Sequence, residues 1–167
     1  MNTPDLYDLQ FEGLVRVHRI LASELTAIAD APTDAKLEEL VKQTNGAGHF
    51  VLGHHFMEDT ILFPGLRNLG SGAGEFLDER DREHHVIHSL TERLIEHAKA
   101  PHPKANELSS VARELLHTLG EHVKREEAGL SAENLRKIIT LPRFTEIVAR
   151  IDAERAAAQV KIAGVTK

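Results

Sequence analysis

The sequence predicts an all-α protein: an antiparallel up-down-up-down four-helix bundle with one or two extra helices at its C-terminal end. Three observations predict it. Apolar residues recur at helical spacing along nearly the whole chain, and no stretch alternates with the period of two that a half-buried strand requires. Breakers fall at Ala31-Pro32-Thr33-Asp34, at Gly70-Ser71-Gly72-Ala73-Gly74, at Pro101-His102-Pro103 and near Gly129-Leu130-Ser131, dividing the chain into long segments. Loops this short make successive long helices antiparallel neighbours.

The first helix is expected over about residues 4–30, with Phe11, Leu14, Val15, His18, Leu21, Leu25 and Ile28 on one face. The second, about 34–69, offers Phe50, Val51, His54, Glu58, Ile61 and Leu62. The third, about 75–100, offers His84, Ile87, His88, Thr91, Leu94 and Ile95. The fourth, about 104–128, offers Leu115, Leu119, His122 and Glu126, with Leu130 at its end. Residues 1–130 therefore form the bundle, and 131–167 a helical extension. In that extension Phe144, Ile147, Val148 and Ile151 share a face and Pro142 is placed to start the helix, so it is expected to pack on the bundle or on a partner subunit, the latter giving a homodimer.

Composition narrows the function. A chain of 167 residues, 41% apolar and 28% charged, suits one soluble domain with a real core. It contains no cysteine, which excludes disulfides, iron–sulfur clusters and thiol nucleophiles and leaves only nitrogen and oxygen ligands. The stretch MNTPDLYDLQ is no basic, apolar leader, and no apolar run reaches the roughly 18 residues of a membrane span, so a cytoplasmic location and no membrane partner are expected. The net charge is −6 and no basic stripe is present, which argues against nucleic acid. The 11 histidines beside a single Tyr and no Trp are an excess of imidazole, not of aromatic residues.

Each buried stripe is apolar except at one level. There the pattern is His18, then His54-x3-Glu58, His84-x3-His88 and His122-x3-Glu126. Side chains four apart stack on one helix face, close enough to bind one ion or two adjacent ions. One such pair carries little weight, since chance supplies about one His-x3-Glu in a chain so rich in histidine. Phase separates signal from coincidence: His117/Glu121 and His88/Glu92 involve polar faces, whereas His122 and Glu126 share the face of Leu115 and Leu119. His55/Asp59 is not separated this way, because Leu52, Phe56 and Phe63 make the second helix apolar on a wide arc. Height is a second test, since ligands at one level should be equidistant from the turn between their helices. The midpoint of Glu58 and His84 is Ser71, and that of His88 and His122 is Ala105, both near breakers. The midpoint of His18 and His54 is Lys36, which fits worst, and either a slanted loop or a bend at Asn45-Gly46-Ala47-Gly48 is expected to absorb the slack.

Five imidazoles and two carboxylates in one dry layer could not satisfy one another at tolerable cost, and they exceed what one ion takes. Two ions fit, and the donors suit iron, manganese, copper or zinc. Two six-coordinate ions offer roughly twelve positions. Five imidazoles, two bridging carboxylates and a bridging oxide or hydroxide leave about one open to a small ligand.

The motif set His18, His54-x3-Glu58 within HHFMEDTILFP, His84-x3-His88 and His122-x3-Glu126 closely resembles the hemerythrin, or HHE cation-binding, family over about residues 4–130. The resemblance implies a non-haem centre of two iron ions with a bridging oxide or hydroxide. Glu58 and Glu126 would be its carboxylate bridges, and His18, His54, His84, His88 and His122 its terminal ligands. Animal oxygen carriers of the family place the last carboxylate five residues after its histidine; here that spacing gives Glu127, while helical phase favours Glu126. The implied partner is dioxygen, in sensing, storage or transport. An oxidoreductase that consumes peroxide or responds to nitric oxide would share every ligand, and a non-redox metal sensor is a third class. Phe50, Met57, Ile61, Ile87, Leu115 and Leu119 are expected to dry the pocket. His49, His55 and His85 are candidates for groups behind the ligands or proton relays, with surface roles the expectation, and no direct role is expected for Tyr7, some three turns from His18.

Overall fold

The computed structural model describes residues 3–32, 36–67 and 73–165, with side chains as far as residue 158. Among these residues there is no strand. The elements are α1 (Leu6–Ala29), α2 (Leu37–Met57), a π-helical turn (Glu58–Leu62), α3 (Phe63–Arg67), α4 (Gly74–Lys99), α5 (Ala105–Gly129), α6 (Ala132–Ile138) and α7 (Leu141–Val165). Asp5 caps α1 and shares a capping box with Asp8, satisfying amides that the first helical turn leaves free. The expected turn at Gly70-Ser71-Gly72, and Thr33-Asp34, lie outside the described residues.

The long helices form a ring in the order α1, α2, α4, α5. Cross-links give their directions: His18 meets His54 and Glu24 meets Gln43, so α1 and α2 run oppositely. His84 with His122, and Arg93 with Glu114, set the same relation for α4 and α5. Ser109 donates to the Ile28 carbonyl while Glu127 faces His18, which closes the ring between α5 and α1.

The second helix departs from expectation. It does not bend at Asn45–Gly48; α2 runs unbroken through that stretch, and Gly48 instead permits close approach, since a Cβ there would stand 2.6 Å from Ile95 Cγ1. The irregularity lies at the π turn, where the Phe63 amide donates to the Glu58 carbonyl. Pro64 explains it: proline has no amide to donate, and its ring would clash with the carbonyl four residues back. The wider turn re-phases the helix, so Phe63 is buried where Leu62 was expected.

Two apolar clusters fill the molecule. One, including Leu21, Leu25, Val51, Leu94, Leu108 and Leu115, occupies the half between the α1–α2 and α4–α5 connections. The other, including Ile61, Phe63, Leu77, Leu135, Phe144 and Ile147, closes the opposite end and joins α6 and α7 to the bundle. Gly65 allows this docking, because a Cβ would meet Ile147 Cδ1 at 2.5 Å. Tyr7 anchors the tail from the other side: its ring stacks on Phe144 at 5.0 Å and its hydroxyl donates to the Ile139 carbonyl at 2.8 Å. The predicted polar level lies between the two clusters.

Candidate metal centre

Two groups of donors meet at that level, each with ligand atoms within 4.8 Å of one another: His18, His54, Glu58 and Glu126 in one, His55, His84 and His122 in the other. The glutamates link them. Glu58 Oε1 is 3.2 Å from His54 Nε2 while its Oε2 is 3.6 Å from His84 Nε2. Glu126 Oε2 lies 3.2 Å from His18 Nε2 and 3.3 Å from His122 Nε2. Each carboxylate thus reaches one histidine of each group.

Three further carboxylates orient the imidazoles. Asp59 on the π turn accepts from His84 Nδ1 at 2.6 Å, Glu83 on α4 from His122 Nδ1 at 2.8 Å, and Glu127 on α5 from His18 Nδ1 at 2.9 Å. An ionised carboxylate only accepts, so each Nδ1 carries the proton and, in the neutral ring, each Nε2 keeps its lone pair. The orienting group sits beside a donor in sequence but serves the next helix around the ring. Glu83 is itself held by Arg80 and Arg125. Burial pushes its carboxyl up, but His122 and these arginines outweigh that and lower it.

Buried charge separates the two glutamates. Burial and the nearby Glu126 charge raise the Glu58 carboxyl well above its usual range, while Arg155 acts weakly against them. Glu126 is equally buried, yet in the metal-free chain His122 and His18, when they carry a proton on Nε2 as well, hold it well below that range. Burial also lowers His54, to about 3, against the opposing pull of Glu126. His54 therefore stays neutral, with a lone pair free for a cation.

The donor set fits metal ions. Both oxygens of Glu58 and of Glu126, both nitrogens of His55, and His88 Nε2 are buried without a hydrogen-bond partner, an arrangement that costs several kcal/mol unless a cation accepts the lone pairs. His18 and His54 bring their Nε2 atoms to 3.1 Å, and His84 and His122 to 3.3 Å. Neighbouring nitrogens each about 2.1 Å from one ion stand roughly 3 Å apart.

Six of the seven expected donors, His18, His54, Glu58, His84, His122 and Glu126, lie in the two groups. His88 stands just outside them, half-buried, with its ring 6.0 Å from that of His84. Glu126 Oε2 lies by His18 Nε2, whereas Glu127 Oε1 lies by Nδ1 on the other side of the same ring. His55 corrects the surface role expected for it. It is fully buried and stacks on His84 at a centroid distance of 3.9 Å, because the apolar arc of α2 extends past His54. His49 and His85 are exposed, and Phe50, although 38% exposed, lines the apolar cavity that His54 borders. The orienting roles of Asp59, Glu83 and Glu127 were missed; their only sequence signal is an acid directly beside a donor.

Bundle and donors together define a helical cation-binding protein. The Hemerythrin HHE cation binding domain family matches residues 10–133, and the chain belongs to it. Comparisons with curated proteins and with solved structures give no match. Among the described residues no helix is long and apolar enough to cross a membrane.

Proposed function

We propose that the chain holds two iron ions joined by a bridging oxide or hydroxide and binds dioxygen reversibly, for sensing, storage or transport. The observation that carries this reading is the pair of buried glutamates, each spanning one histidine of either group. When bound, such a pair supplies redox equivalents and an open position for a small ligand.

The residues divide the remaining work. His18 and His54 would hold one ion, His84, His88 and His122 the other, and Glu58 and Glu126 would be shared between them; His55 is near enough to take a position beside His84 and His122. Asp59, Glu83 and Glu127 fix the tautomers and raise the basicity of the rings they face. The His18 and His54 side would supply fewer nitrogens, and His54 and Glu58 line a cavity, so an open position would fall there. Apolar walls and a His54 kept neutral withhold water and protons from that side.

The test is metal analysis followed by optical spectra under cycles of oxygen and vacuum. The expected result is about two irons per chain, from the ligand count, with an absorption band that appears and disappears with oxygen. Sustained peroxide consumption at catalytic concentrations would overturn the carrier reading. A colourless, zinc-filled protein that refuses iron would overturn the centre.

A further inference from the structure

A cavity of about 430 Å³ lies between α1, α2 and α7. Its walls are apolar, with Phe11 and Leu14 from α1, Met57 from α2, and Phe144, Val148 and Ile151 from α7. His54 and Glu58 form its inner end. Arg16 and Arg155 also line it, and both are exposed to solvent.

Volume is the first clue to an occupant. Sites for small organic molecules span about 300–1,000 Å³, whereas a water molecule takes only about 30 Å³, and a diatomic gas is of similar size. Position is the second. The wall supplied by α7 lies beyond residues 10–133, so a segment outside the family match closes the cavity over walls that the bundle itself supplies. Charge is the third. Arg16 makes no ion pair among the described residues, and Arg155 has only Asp152, at 3.7 Å. A guanidinium's planar fork suits a carboxylate better than a point charge does.

We propose that this cavity binds a monocarboxylic acid with an unbranched apolar chain, the chain lying inward along Met57 and Val148 and the carboxylate resting on Arg16 and Arg155. The occupant would cover the approach to His54 and so slow the exchange of any small ligand on that side. The site requires the fold and the two arginines; it does not require that dioxygen be the metal's ligand.

Calorimetric titration of the full-length, metal-loaded protein with decanoate tests it. Saturable one-to-one binding is expected, strengthening by up to about fourfold per methylene from hexanoate to decanoate, the limit set by burying a CH2 group. Arg16→Gln combined with Arg155→Gln should weaken decanoate by at least about tenfold, as charge-assisted pairs do, at unchanged melting temperature. Decanol should bind the unaltered protein as weakly as decanoate binds that variant. Equal affinity for decanoate and decanol, or an unaffected double variant, would overturn the proposal, as would binding that vanishes on metal removal while surviving loss of the arginines. Binding to a zinc-filled, oxygen-inert protein would support it and tell against the oxygen reading alone.

Discussion

The two halves of the polar level are built differently. On the α4 and α5 side, His84 and His122 each have a carboxylate behind the ring, and Glu83 is braced in turn by two arginines. On the α1 and α2 side, Glu127 stands behind His18, but among the described residues no carboxylate is hydrogen-bonded to His54 Nδ1, and His54 borders the cavity. Orientation by fixed acceptors makes the first side a rigid holder. His54 and the buried Glu58 border an apolar space, which in the proposed function would make the second the side where a ligand exchanges. The difference assigns different work to donors that look alike in sequence.

The largest expected effect comes from removing what the sides share. Glu58→Ala should reduce bound iron on both sides together, with a fall in melting temperature, because ligation contributes to folding. Retention of one full iron by this variant, measured by elemental analysis, would show that the sides fill independently. A sharper break is His55→Ala with His88→Ala. His84 and His122 would share the α4 and α5 ion with either His55, inside the donor group, or His88, just outside it, so each single variant should keep both irons and the double variant should lose one. Loss in one single variant alone would identify the obligatory ligand.

Asp59→Ala should weaken metal binding by about 10–100-fold through the freed His84 ring, measured by competition with a chelator. An unchanged affinity would remove the rigid-holder distinction. Acid titration of the metal-free chain probes the other side. The unfolded chain protonates His54 near 6.5, the folded chain only at about 3. His54 therefore costs no stability above 6.5 and lowers it progressively as pH falls through that window. Glu58, whose carboxyl is raised, acts oppositely and favours the folded state at low pH. The comparison is thus with His54→Phe, whose melting temperature should fall less between pH 6.5 and 4 than that of the unaltered chain; parallel curves would count against the buried neutral imidazole. The smallest effect should be that of Tyr7→Phe, about 1 kcal/mol for one buried hydrogen bond, seen in denaturant unfolding with metal content unchanged.

Much of the site was legible because the helix period places donors. The four long helices and the inward phase of His18, Glu58, His84, His122 and Glu126 all follow from periodicity, and each of these five side chains is buried. His55 was misplaced because local pattern cannot say how far an apolar arc turns inward. The π turn escaped too, although Pro64 within a helical stretch marked the strain. The orienting pairs could not be read, since Asp59–His84, Glu83–His122 and Glu127–His18 join residues 25, 39 and 109 positions apart.

What the sequence alone determined is the chemistry: a cysteine-free chain with imidazole and carboxylate donors at a common helical phase, set in stripes otherwise apolar. Those properties are local, fixed by residue type and 3.6-residue periodicity. Which acid stands behind which imidazole, which histidines reach the centre and whether a cavity adjoins His54 were decided only when helices packed. These depend on the register between elements and on where α7 docks, and contacts across such distances are settled by the burial of whole faces rather than by any short stretch of chain.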